Sequence, residues 1–489
     1  MKIPQSAAFL AVLPVLVVAH LENVGARHAR HNHNPIGARQ AAPSALTLAA
    51  AGSTTVTGTS SPSSSISVAG TAFANSSGRT SVTTPPTGTS SGTPATTAAG
   101  AAVTTTGTGT SAATPTISVS LRATNPTAIP LASIVSNQPS AATIPLDSTA
   151  VVGATPTAIA NAPALPNAAL LSPTNYPHLD IPPPVDSPEV LQWIQDVADT
   201  GVVIPDISAT NPGGCPNNTD AVNDASRCWW TCGGCTRPTD ITECPTAMDW
   251  GLTYDDGPAF YTPNLLAYLD QQKLKSTFFV VGSRVISFPN TLQEEYMSGH
   301  QIAVHTWSHP SLTELSNEEI IAELGWSKKV IKDVLGVTPN MMRPPFGDID
   351  DRVRAISLAM GLTPVIWTRI SPLATFDTDD FNIAGGSTSV GQVLQNWENI
   401  IGNATTRDTG FIVLEHDLFE QSVEVATGYI LPDAQAHNPP FTIQPVISCL
   451  NQDMANAYIE TNNNATNPPA ISAAVSGKYR MVFTPLVVR

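Results

Sequence analysis

The stretch Trp250-Gly-Leu-Thr-Tyr-Asp-Asp-Gly-Pro258 carries a short apolar run straight into two adjacent carboxylates and a turn. An apolar segment of this length reads as a strand covered on both faces, and Asp-Gly-Pro marks its abrupt end. The pattern recurs downstream. Strands are expected at 250–254, 277–281, 302–304, 364–368 and 411–414. Amphipathic helices fill the intervals. The clearest begins at Ser316-Asn-Glu-Glu319, a capping box, presents Ile320, Leu324, Ile331 and Leu335 on one face, and ends at Gly336 before Pro339. Strand–helix alternation across 246–440 predicts an α/β fold with a parallel sheet, most economically a distorted (β/α) barrel. An open doubly wound sheet is the alternative.

Polar residues gather just past the strand ends. Asp255-Asp256 follows the first strand, His305-Thr-Trp-Ser-His309 the third, and Arg343-Pro-Pro-Phe346 precedes the next helix. Asp377-Thr-Asp-Asp380-Phe381 and Leu414-Glu-His416-Asp417 complete the set. In a parallel barrel the strand ends share one rim, and active sites form there. Taken singly these clusters have ordinary readings. Asp-Asp-Gly-Pro is a turn in most proteins, and an Arg before two prolines is usually a surface loop. Together they supply what metal-assisted hydrolysis needs: two imidazoles, a carboxylate ligand, a neighbouring carboxylate base and a separate histidine.

Outside this region the 489-residue chain changes texture. The formal net charge is -16, with 22 Lys+Arg against 38 Asp+Glu. Phosphate backbones require clustered cations, so this balance excludes nucleic acid as a partner. Residues 1–19 read as an export signal: Lys2, then an apolar stretch from Ala7 to Ala19 that is too short to span a bilayer. No later run is long and apolar enough to cross a membrane. Residues 20–170 are expected to form a Ser/Thr/Pro-rich, O-glycosylated, disordered stalk; Ser and Thr make up 35 of the 70 residues from 51 to 120. Gly88-Thr-Ser90-Ser-Gly92 matches a hydrolase nucleophile pattern there, but lacks the strand–turn–helix context it requires.

Residues 171–245 form a cysteine-rich cap, and 441–489 a C-terminal extension without a glycolipid-anchor signal. Cys215, Cys228, Cys232, Cys235, Cys244 and Cys449 are an even number behind an export signal, so three disulfides are expected, with fifteen possible connectivities. Cys232-Gly-Gly-Cys235 could instead be half a zinc site, a reading opposed by the missing second pair. Asn75, Asn217, Asn403 and Asn464 lie in glycosylation sequons.

On the five clusters quoted above, which stand in the right order, residues 246–440 resemble the polysaccharide (NodB-type) deacetylases of carbohydrate esterase family 4, and within it the fungal chitin deacetylases. The resemblance implies a NodB-type barrel and one divalent ion, zinc or cobalt, held by Asp256, His305 and His309. It implies Asp255 as the base toward the attacking water, Arg343 as its partner, and His416 as the acid toward the leaving amine, oriented by Asp377. The backbone near Phe346 would receive the oxyanion, and Tyr254, Phe346, Phe381 and Leu414 would line the substrate. Phe381 stands where many relatives have Trp. The implied activity is removal of acetyl groups from chitin by a secreted or wall-bound enzyme, with peptidoglycan or acetylxylan as alternative polymers. A non-catalytic wall mannoprotein is the reading from a different class.

Overall fold

The computed structural model describes residues 119–146, 150–372 and 374–462. The export signal, most of the expected stalk, Asn75, Asn464 and the final residues lie outside the described residues.

Among the described residues there are ten short strands: β1 Asp249–Gly251, β2 Thr253–Asp255, β3 Thr277–Val280, β4 Gln301–Val304, β5 Met341–Met342, β6 Thr363–Pro364, β7 Arg369–Ser371, β8 Ala374–Thr375, β9 Phe411–Ile412 and β10 Thr442–Gln444. Strands β2-β3-β4-β5-β6 form one parallel sheet, β10-β1-β9 a second, and β7-β8 a small antiparallel ribbon. Every residue of β1 to β6 is buried, as expected of parallel strands covered by helices. The expected strand at 250–254 divides at Leu252. There the N–H pairs with Gln444 of β10 while the C=O accepts from Thr277 of β3, so the chain changes sheets within one residue.

Backbone bonds close the circle. Thr368 N–H donates to Ile412 O, Leu414 N–H to Phe376 O, Asp255 N–H to Glu415 O, and Asp417 N–H to Asp255 O. The sheets are thus parts of one distorted barrel, and the open-sheet alternative falls. The last of these contacts matter most, because they seat the Asp255-Asp256 and His416 segments side by side.

Helices cover the outside: α1 Pro188–Asp199, α2 Thr262–Gln272, α3 Asn317–Leu335, α4 Asp351–Ala359 and α5 Val390–Ala404. Helix α3 starts at the Ser316–Glu319 capping box and ends at left-handed Gly336, and its expected apolar face is buried. Gly325 makes room for the cap. A Cβ there would lie 2.2 Å from the ring of Trp193 on α1, which packs edge-on against Trp326 at 5.5 Å.

Two expected boundaries need correction. The stalk does not run to 170, because residues 119–146 and 150–170 pack on the barrel. Ile134, Ile159 and Leu165 are buried, Arg122 donates to Asp433, and Asn125 N–H to Gly428 O. Apolar residues are denser among the prolines here than in 51–120, and they are what docks. Nor does the domain end at 440: β10 belongs to its sheet, and Tyr458 is buried against Tyr296.

The disulfides are Cys215–Cys232, Cys228–Cys235 and Cys244–Cys449. The first two interlock within the cap, which removes the zinc half-site reading, and the third joins Cys244, just before β1, to Cys449, just after β10. Asn217 is exposed and Asn403 half-buried.

Candidate active site

Residues 253 and 255 point to one side of β2 and 254 to the other, as strand alternation requires. Thr253 and Asp255 meet the fully buried Arg343: its Nη1 donates to Asp255 Oδ1 at 2.7 Å and to Thr253 Oγ1 at 2.9 Å. The guanidinium lies 4.1 Å from the Phe279 ring centre. Burial depresses the Arg343 pKa while Asp255 raises it, and an arginine this far from neutrality stays charged. Tyr254 faces away. It is fully buried, 5.7 Å from the Phe278 ring and pushed well up by burial, so the expectation that it lines the substrate is corrected.

Asp256 stands just past β2 with φ 78°. Its Oδ1 lies 3.4 Å from His305 Nε2 and 3.1 Å from His309 Nε2. Thr306, His309 and Phe346 also have positive φ, at 67°, 62° and 59°. Non-glycine residues in this region cost of order 1–3 kcal/mol each, and their concentration around one site marks a backbone held for function. Among the described residues, Asp256, His305 and His309 are the group of side chains able to hold a metal ion, with all ligand atoms within 4.8 Å of one another.

The three fit a divalent ion. Asp256 Oδ1 is buried yet accepts no hydrogen bond. His305 directs Nδ1 to Arg343 O at 2.7 Å; a carbonyl only accepts, so Nδ1 carries the proton and Nε2 presents a lone pair to Asp256 and His309. Burial keeps the His309 pKa below its ordinary value despite Asp256. Burial works against the Asp256 carboxylate, but attraction to His309, His305 and His416 in their charged forms outweighs it and holds it well below the usual range before any metal binds. An ionised carboxylate beside two neutral imidazoles is the ligand state that binding requires.

The ligand loop is held from behind by Glu323 of α3. Its carboxylate receives Trp307 N–H at 2.7 Å, Ser308 N–H at 2.9 Å and the Ser308 hydroxyl at 2.5 Å. Burial pushes Glu323 up to about 7. This residue was missed from sequence, although an acid amid the buried stripe of a helix is a visible signal.

His416 is 7% exposed and has a different neighbour. Its Nδ1 lies 2.7 Å from Asp380 Oδ1, and its backbone N–H donates to Asp380 Oδ2 at 2.9 Å. Burial disfavours the imidazolium, but Asp380, with help from Asp256 and Asp255, pushes His416 up to about 10. The orienting carboxylate is therefore Asp380 and not Asp377, which accepts the Asp379 N–H at 2.8 Å and so shapes the turn that turns Asp380 inward. Phe381 packs 4.8 Å from His416, Phe346 4.6 Å from His309, and Leu414 is buried on the segment leading to His416. Asp417, also missed, is buried and pushed up to about 7 by burial, accepts the Thr262 hydroxyl, and lies where a Cβ on Gly257 would be 2.3 Å from its Oδ2.

Residues 242–365 match the family model for polysaccharide deacetylase. A curated relative, chitin deacetylase 1 of Cryptococcus neoformans var. grubii, is 52% identical over 332 residues, spanning 67% of this chain and 69% of its own. The chain belongs to the polysaccharide deacetylase family. The chitin deacetylase of Amylomyces rouxii is 41% identical over 41% of this chain and 52% of its own. Among solved structures, the chitin deacetylase of Colletotrichum lindemuthianum shares 25% identity over 45% of this chain and 95% of that one, with a TM-score of 0.40. No described helix is long and apolar enough to cross a membrane.

Proposed function

We propose that this polysaccharide deacetylase removes acetyl groups from the N-acetylglucosamine units of chitin, as a secreted, metal-dependent, wall-modifying enzyme. The observation that carries the reading is the pairing of Asp255 with the Glu415–Asp417 segment, which brings a carboxylate and a histidine together beside the Asp256, His305, His309 cluster. Names of relatives favour chitin, and the net-acidic domain suits a neutral polymer better than an anionic one. The apolar stretch before Ala19 favours export.

Held by Asp256, His305 and His309, zinc or cobalt supplies Lewis acidity toward the acetyl carbonyl and toward the attacking water. Asp255, paired with and aimed by Arg343, accepts the proton of the water whose oxygen bonds to the carbonyl carbon. The oxyanion sits toward the backbone near Phe346. His416 donates its proton to the departing nitrogen as the C–N bond breaks, so acetate leaves with a neutral amine and no amide anion is expelled. Asp380 holds that proton on His416 until it is needed. Phe381 and Leu414 shield the acetyl methyl.

Acetate release from chitin oligomers tests the reading. Activity is expected to vanish with chelator and return with zinc, and Asp255→Asn to lower kcat by about 10²–10⁴-fold. Acetate from acetylxylan or peptidoglycan but none from chitin would change the polymer; none from any of them would leave the wall-protein reading.

A further inference from the structure

The loop Pro344–Asp350 follows Arg343 directly and holds Phe346 against His309, and two successive left-handed residues bend it, Phe346 at φ 59° and Gly347 at φ 64°. Such a bend holds only if its surroundings over-determine it. The surroundings are the disulfide-interlocked segment of the cap. Trp230 N–H donates to Ile349 O at 3.0 Å, and the Thr231 hydroxyl to Gly347 O at 3.1 Å. The Trp230 ring lies so close that a Cβ on Gly347 would be 2.3 Å from it. Arg354 Nη1 reaches Cys228 O at 2.6 Å, and Nη2 reaches Cys235 O at 3.0 Å.

Asp348 is where these restraints converge. It is 4% exposed and accepts four hydrogen bonds from two other parts of the chain. Oδ1 takes Trp229 Nε1–H at 2.7 Å and shares the single Thr231 hydroxyl proton, at 3.0 Å, with Gly347 O; Oδ2 takes Thr313 N–H at 2.9 Å and the Thr313 hydroxyl at 2.7 Å. Thr313 follows the His305–His309 loop. One carboxylate thus ties the cysteine-rich cap, the chain leaving the metal-ligand loop and the bent loop beside the reacting centre.

We propose that Asp348 is a positioning residue for the deacetylation reaction, and that the cap's two interlocked disulfides serve catalysis by presenting Trp229 and Thr231 to it. The inference rests on the deacetylase reading. Asp348 touches neither the Asp256–His305–His309 cluster nor Asp255, so it acts through where Arg343 and Phe346 stand.

Full-length, zinc-loaded wild type, Asp348→Asn and Trp229→Phe are compared on chitin oligomers, with kcat, KM, zinc content and Tm measured for each. The amide cannot accept at both ends, whereas Trp229→Phe keeps an aromatic ring and deletes one donor. Asp348→Asn is expected to lower kcat by about ten- to a hundredfold, the cost of a small misplacement near the chemistry, with KM within about twofold and full zinc. Trp229→Phe should lower kcat several-fold in the same pattern, and it decides the matter if Asp348→Asn does not fold. Unchanged kcat in folded, zinc-loaded variants with only Tm reduced would overturn the proposal, as would a kcat loss that merely tracks lost zinc. If wild type itself releases no acetate, the deacetylase reading fails first and this inference with it; variants matching an active wild type sink the inference alone.

Discussion

His305 and His416 sit on neighbouring parts of the same barrel rim, both almost fully buried, yet the protein backs them with different partners. Behind His305 is a backbone carbonyl, Arg343 O at 2.7 Å, which fixes the proton on Nδ1 and leaves Nε2 as a Lewis base. Behind His416 is the Asp380 carboxylate, also at 2.7 Å, which stabilises the full imidazolium. Distance and burial are nearly equal; the charge of the second partner differs. Behind the ring a neutral acceptor selects a tautomer while an anion favours an added proton, which suits His305 to ligation and His416 to acid work; in front, His305 Nε2 faces Asp256 Oδ1 at 3.4 Å and Asp255 Oδ2 at 3.7 Å.

The largest effect comes from removing the ligand side of this pair. His305→Ala deletes one of three donors, so zinc content in dialysed protein should fall close to zero and acetate release should be lost with it, as checked by metal analysis beside the activity assay. Zinc at full stoichiometry in this variant would break the comparison, since His305 would then be no ligand. The acid side is tested by exchanging the anion for a neutral acceptor. Asp380→Asn keeps a partner for Nδ1 but removes its charge, so kcat near neutral pH should drop by about 10²-fold with zinc retained. A stability measurement sharpens this. The His416 pKa is raised from 6.5 to about 10, so its contribution to stability is complete below about pH 6.5 and is lost as pH rises through about 10. Chelated wild type should therefore lose Tm relative to Asp380→Asn across that window, and parallel curves would show that Asp380 does not hold the proton.

The rim clusters could be read from sequence because each motif is local: Asp255-Asp256, His305 with His309, and Arg343 lie within a few residues of a strand end, and strand order in a parallel barrel brings the ends together. The capping box of α3 was legible for the same reason. What was hidden depends on turns or on distant chain. Three acids fall between 377 and 380, and which one meets His416 is decided by Asp379 adopting φ 65°, a conformation no spacing rule announces. Tyr254 was misassigned although its parity with Thr253 and Asp255 already placed it on the other face. The docking of 119–146 and 150–170 was obscured by composition, since prolines and small residues look alike whether they pack or not. Asp348 binds partners 35 to 119 residues away, so its role exists only in three dimensions.

The smallest effect concerns how the ligand loop is held rather than what it holds. Glu323 accepts three hydrogen bonds from Trp307 and Ser308, between the two histidines, yet touches neither ring. Glutamine keeps the length and one good acceptor, and the Ser308 hydroxyl can rotate to accept from the new amide. Glu323→Gln should accordingly weaken zinc affinity by only about tenfold, at the low end for a residue supporting metal ligands, with kcat unchanged once zinc saturates the site. The pH dependence separates charge from shape. The folded pKa of Glu323 is raised from 4.5 to about 7 by burial, so ionising it costs stability as pH climbs through that window, a cost glutamine does not incur. The Tm of chelated Glu323→Gln, measured against wild type, should thus rise in relative terms from pH 4.5 to pH 8. A flat difference would mean that Glu323 is already ionised at pH 4.5 and that its hydrogen bonds to the ligand loop outweigh its burial, making it a second case in which the partners of a buried group, not its depth, set its charge.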